Sequence, residues 1–216
     1  MRLDAKYSVG FISKRCRESL VLGVGFNSGG EFKAKCRGKH TREYRAWINM
    51  LQRCYDKKYQ EKQPTYAGCS VCIDWLDYQS FAKWYYDNHP NDDGKYNLDK
   101  DLKVIGSKVY SPETCMIIPN IVNTFIVDCG ARRGNFLIGA SFHKRVGKFV
   151  SRCSNPITKK CENLGCFTDE IDAHLAWRKR KSELAYELAI TQQSHEVKKA
   201  LIGWRMALDS NLIHTY

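Results

Sequence analysis

The densest chemistry in this chain lies at Asp99, Lys100 and Asp101, in the run Leu98-Asp99-Lys100-Asp101-Leu102. Tyr110-Ser111-Pro112-Glu113-Thr114-Cys115 follows, then Pro119-Asn120-Ile121-Val122-Asn123. Two close carboxylates, a turn and a more distant asparagine have the chemistry of a metal and phosphate site. Such a site would hold a divalent cation such as Mg2+ against a phosphodiester oxygen. The water-activating base is the missing part. An unperturbed aspartate is too weak and an unperturbed lysine is protonated at neutral pH, while His89 and His143 are the nearest histidines in sequence. The same residues also have an architectural reading, with Asp99 and Asp101 as turn and capping groups, Lys100 on the surface, and Asn123 opening or capping a helix.

The elements that would position these residues follow from pattern. Leu98 and Met116-Ile117-Ile118 read as two short strands. Pro119 ends the second and a helix starts near Asn120, which makes a hairpin feeding a helix. Upstream, Tyr44, Trp47, Ile48, Leu51 and Tyr55 recur at helical spacing behind Thr41 as N-cap. A second aromatic helix spans 78–88, with Tyr78, Phe81, Trp84 and Tyr85 on one stripe, and stops at the polar run 89–94. Both stripes are read as core. Residues 7–37 alternate and carry five glycines, so 20–26 and 31–34 read as strands around Ser28-Gly29-Gly30. These glycines lack phosphate-loop spacing.

The hairpin and helix resemble the HNH (His-Me finger) nuclease motif, in which a strand-end histidine activates water and a helix asparagine helps hold one divalent metal. More closely, they are similar to a phage-encoded HNH-type family that reads leucine-aspartate-lysine-aspartate, then tyrosine-serine-proline-glutamate-x-cysteine, then proline and asparagine. Tyr44 with Trp47, Arg53-Cys54-Tyr55, and Trp75 with Phe81 and Trp84 extend the likeness outside the hairpin. The resemblance implies a metal-dependent DNA endonuclease with Asp99, Lys100, Asp101 and Asn123 at its catalytic positions. The chain departs from the parent motif where the histidine should stand, at Asp99 or Lys100. That departure favours an alternative function, a catalytically inactive scaffold that binds DNA or a host protein.

Charge points to the same partner. Lys and Arg number 35 against 23 Asp and Glu, for a net charge of +12, which favours a polyanion, with nucleic acid first. The excess is uneven. Residues 1–45 carry eleven basic side chains against four acids, residues 56–115 eight against ten, and residues 131–161 eight against none. Two basic arms thus flank a nearly neutral centre, an arrangement in which the arms hold phosphate while the central acids stay available to a cation.

The acid-free arm begins at Arg132-Arg133 and reads as three short strands, 136–142, 143–153 and 159–167, followed by a helix capped at Thr168-Asp169-Glu170. Gly139, Gly147-Lys148-Phe149, Leu164-Gly165-Cys166-Phe167-Thr168 and the segment from Ala173 to Trp177 resemble the plant ethylene-response-factor (AP-two) domain over residues 134–180. The resemblance implies a three-stranded sheet lying in the DNA major groove, which is wide enough to admit a β-ribbon. On that model Ser141, His143, Lys144, Arg145, Lys148 and Arg152 contact DNA together with Arg132 and Arg133, and the outward face is open by one register step. A helix around Val197, Leu201, Trp204 and Leu208 ends the chain.

Ten cysteines without a secretory signal read as thiols or metal ligands. Cys69-Ser70-Val71-Cys72 is half of a structural zinc site, with Cys54 and Cys115 among the candidates to complete it. No apolar run spans a bilayer, so the expectation is a protein of the host-cell cytoplasm that binds double-stranded DNA and no membrane. The expected fold is α+β. It has a small basic β element over 1–40, an HNH-like region with aromatic helices and a ββα centre over 41–128, a three-stranded antiparallel sheet packed on a helix over 129–190, and a C-terminal helix over 191–216.

Overall fold

The computed structural model describes residues 20–90, 92–127 and 136–210, so Arg132 and Arg133 lie outside the described residues. In chain order the elements are β1 (Lys35–Cys36), β2 (Lys39–His40), α1 (Arg42–Tyr55), α2 (Lys57–Lys62), β3 (Ser70–Val71), α3 (Tyr78–Asn88), β4 (Tyr96–Asp99), β5 (Val109–Tyr110), β6 (Met116–Pro119), α4 (Asn120–Ile126), β7 (Ala140–His143), β8 (Lys148–Ser154), β9 (Cys161–Phe167), α5 (Glu170–Ile190) and α6 (His195–Asp209). The fold is mixed α+β. It separates into two compact units, Met1–Gly94 with Gly106–Ile117, and Lys95–Ile105 with Ile118–Tyr216. The division is therefore discontinuous in sequence.

In the first unit the aromatic stripes are core, as their spacing predicts. Thr41 caps α1 by accepting the Tyr44 N–H, and Trp47, Met50, Leu51 and Cys54 are buried on one face. The Trp47 indole N–H donates to the Trp75 carbonyl at 2.8 Å. Trp75 in turn meets Phe81 of α3 edge to face at 5.1 Å. The Arg53-Cys54-Tyr55 run is structural as well. Arg53 lies over the Tyr66 ring and hydrogen-bonds Tyr110, whose hydroxyl is held far above the phenol range by burial, against the pull of that guanidinium. Tyr55 accepts the Val71 N–H through its hydroxyl at 3.1 Å.

The strands expected at 20–26 and 31–34 do not pair as a hairpin; the isolated bridges Val21–Gly25 and Phe26–Asp77 form there instead. Long-range side-chain bonds replace the ladder. Ser28 donates through both N–H and hydroxyl to the Asp77 carboxylate, and Gln79 accepts from the Phe32 N–H while donating to its carbonyl. The hairpin in this region is instead β1–β2.

β4 and β6 form a two-stranded sheet, and α4, in the second unit, follows β6 at once. Its first amide, Asn120 N–H, donates to the Lys95 carbonyl at 2.8 Å. β7, β8 and β9 form an antiparallel sheet in that order, with α5 packed on one face and α6 on α5. Asp169 caps α5 by accepting the Ile171 N–H. Leu184, Leu188, Leu201 and Leu208 build the core between the two long helices. Phe125 of α4 joins it against Trp204 at 5.7 Å. Lys181 of α5 donates to the Phe125 carbonyl at 2.6 Å and sits 3.7 Å above that ring.

Candidate nucleic-acid interface

Residues directly opposite in a sheet share a face, and alternate residues along a strand change face. The pairs Ala140–Ser151 and Cys153–Glu162 include Ala140, Ser151 and Cys153, all buried, and Glu162 is bonded to Arg180 of α5. This is the helix-covered face. The pairs His143–Lys148, Ser141–Val150–Cys166 and Arg152–Asn163 form the other face, where every member except Val150 is exposed. The register is thereby decided. Ser141, His143, Lys148 and Arg152 stand on one outer surface, and Lys144 and Arg145 stand exposed in the 144–147 turn at its edge. Gly147, at φ 65°, closes that turn, with its N–H donating to the His143 carbonyl.

Two features that the pattern reading missed sharpen this surface. A bulge between Ser151 and Arg152 leaves Leu164 unpaired in the ladder and sets Asn163 beside Arg152. Glu162, which ends the acid-free stretch, points away from the surface into the helix layer. Hydrogen bonds from Arg180 and then Asn155 hold its carboxyl down at about 2. The sequence signal was Arg180 with Glu183 and Glu187 one and two turns on, both of which it also binds. The outer face consequently carries no acid among its paired residues. Close approach of sheet and helix depends on Gly139, at φ 81°, where a Cβ would run into the Trp177 indole.

The Asp99-Lys100-Asp101 turn is architectural as placed. Asp99 Oδ1 accepts the Asp101 N–H at 3.0 Å and the Leu102 N–H at 2.7 Å. Lys100 is 5% exposed rather than on the surface, and its ammonium lies 2.6 Å from the Asp101 carboxylate. Burial raises the Asp99 carboxyl above its ordinary range, against the pull of the Leu102 amide. Asn123 sits within α4 and neither opens nor caps it; Pro119 is the N-cap. The asparagine linked to the strand is Asn120, whose Oδ1 accepts from the Asn97 side chain at 3.0 Å. In this placement Asp99 gives one carboxylate oxygen to backbone amides and Asp101 gives one to the Lys100 ammonium.

The cysteines also read differently in three dimensions. Ser70 and Val71 form β3, paired parallel with β5, so Cys69 and Cys72 flank an extended strand. Cys54, Cys69 and Cys115 are buried, and burial raises the Cys72 thiol against the pull of the Trp75 amide. Among the described residues no group of three or more His, Cys, Asp or Glu is placed to hold a metal ion. No helix among them is long and apolar enough to cross a membrane.

Comparison with protein-family models, curated proteins and solved structures finds no match for this chain.

Proposed function

We propose that this protein binds double-stranded DNA, with the outer face of β7–β9 in the major groove. The supporting observation is the alignment of Ser141, His143, Lys148 and Arg152 on one exposed face while Glu162, the nearest strand acid, is turned away and held by Arg180. Arginine pairs with guanine through two hydrogen bonds and asparagine does so with adenine. Arg152 and Asn163 are accordingly the base-reading pair. Lys144, Arg145 and Lys148 supply phosphate contacts that add affinity and salt dependence rather than sequence choice. The likeness to the AP-two domain supports the same docking, and the likeness to phage HNH proteins supports a DNA partner in an infected cell.

In this reading the Asp99–Asp101 turn is scaffold. Metal-dependent cleavage, which the hairpin resemblance implies through Mg2+ on Asn123 with Asp99 or Asp101, is separated from it by one experiment. Gel shift and supercoiled-plasmid nicking are run in parallel with and without Mg2+ or Mn2+. The comparison includes the unmodified protein, Arg145→Ala with Arg152→Ala, Asn123→Ala, and Asp99→Ala with Asp101→Ala. Retarded duplex without nicking, lost in the arginine variant, is the expected result. Metal-dependent nicking lost in the Asn123 and Asp99/Asp101 variants would establish a nuclease. Unchanged affinity of the arginine variant at moderate salt would remove the sheet from the interface.

A further inference from the structure

The β1–β2 hairpin of the first unit is bare of core contacts, since all four of its strand residues are exposed. It is nonetheless firmly held at its base. The Thr41 N–H donates to the Ala34 carbonyl at 3.1 Å. The Lys33 carbonyl accepts both the Thr41 hydroxyl at 3.0 Å and the hydroxyl of fully buried Tyr78 at 3.2 Å. His40 meets Tyr44 of α1 at 4.9 Å. A two-stranded ribbon of this length has little stability of its own, so these anchors are what give it a fixed shape.

What the anchors hold out is charge. From Phe32 to Arg42 the chain contains no acid, and Lys33, Lys35, Arg37 and Lys39 are all exposed. Among the described residues none of these four has an ion-pair partner. The two-residue turn is Arg37-Gly38, at φ 48° and 76°, both left-handed as a type I′ hairpin turn requires. Asparagine, aspartate or glycine is the residue suited to the first of those positions. An arginine there breaks the local rule and puts a guanidinium at the tip. Such departures from local preference without a gain in packing mark functional positions.

We propose that this hairpin is a second DNA contact, a basic finger that grips the duplex phosphate backbone through Lys35, Arg37 and Lys39 and reads no bases. The proposal rests on the duplex-binding reading above but uses a different element in a different unit. Flexible cations on an exposed ribbon without a flat outer face supply phosphate neutralisation, whose signature is salt dependence rather than sequence preference.

The test is fluorescence anisotropy of the full chain with several random-sequence duplexes across a salt series. The variant combines Lys35→Ala, Arg37→Asn and Lys39→Ala; asparagine keeps the turn while removing its charge. The expected result is weaker binding to every duplex alike, with the slope of log affinity against log salt shallower by about 2.7, at about 0.9 per lost phosphate contact. A charge-preserving variant, Lys35→Arg with Lys39→Arg, keeps the parent slope. Circular dichroism shows both variants folded. An unchanged slope in the neutralised variant overturns the finger, as does preferential binding of single strands by the unmodified protein. Loss with the finger variant but not with Arg145→Ala and Arg152→Ala would keep the finger and remove the sheet. Loss with the sheet variant alone would do the reverse. Absence of binding by the unmodified protein at low salt removes both.

Discussion

Glu162 and Arg180 meet through two hydrogen bonds, Nε to Oε2 at 2.6 Å and Nη2 to Oε1 at 3.1 Å. This forked contact joins the helix-covered side of β9 to α5 and removes the nearest acid from the opposite, basic face. A carboxyl held at about 2 in the folded chain, against about 4.3 when unfolded, contributes stability above the unfolded value. That contribution is lost as pH falls through the folded value. Thermal melting followed from pH 7 down to pH 2 will show a decline beginning near pH 5. Glu162→Gln will lower Tm at pH 7 and by less at pH 3, and will leave duplex affinity near that of the parent because the side chain faces the helix.

Asp99 has the opposite sign. Its folded carboxyl is raised by burial, so the charged form is penalised and stability linked to this group is lost as pH rises through the folded value. Asp99→Asn keeps an oxygen for the Asp101 and Leu102 amides and removes the charge. Its Tm will exceed the parent's at pH 7, and the gain will vanish below about pH 4, where the carboxyl is neutral even unfolded. Asp99→Ala leaves both amides without their acceptor and will cost about 1 kcal/mol, on the scale of a lost helix cap, measured by urea titration.

Gly139→Ala places a methyl group against Trp177 at a positive φ. Overpacking and the left-handed backbone together will cost about 3 kcal/mol, seen as a lower urea midpoint with little change in slope. Gly203→Ala in α6, where an added Cβ meets nothing, will by contrast stabilise by about 1 kcal/mol through helix propensity.

The thiols make a prediction about metal. With Cys69 and Cys72 flanking β3 and Cys54, Cys69 and Cys115 buried, chelation by EDTA will leave the melting curve and far-ultraviolet dichroism unchanged. A structural zinc would make the domain lose its fold on the same treatment, and elemental analysis would find about one zinc per chain.

Much of the architecture was legible because its signals are local. Thr41 and Asp169 cap α1 and α5 through their own side chains, and Pro119 ends β6 with α4 starting at Asn120. The strand read over 143–153 contains most of β8, and only its pairing with β7 and β9 decides which of its residues share the basic face. Illegible features depend on partners far away in the chain. Asp77 and Gln79 hold residues 27–32 from about fifty positions downstream, and nothing at Leu20 or Phe26 encodes that. Lys100 resembles a surface lysine by type and is buried by tertiary context. Asn120 and Asn123 lie three residues apart on one short helix, and only the placement of Asn97 shows that the first is the one bonded to the strand.

The contact of Lys181 with Phe125 carries a consequence for how the chain comes off the ribosome. α4 emerges directly after β6, yet the ammonium that caps its last turn lies 56 residues further on, and the Trp204 ring against Phe125 is later still. Phe125 of α4 therefore lacks its cover until α5 and α6 have been synthesised. Meanwhile the first unit has every segment it needs once residue 117 has emerged. Apolar surface left without its cover in an incomplete chain is the kind that promotes aggregation.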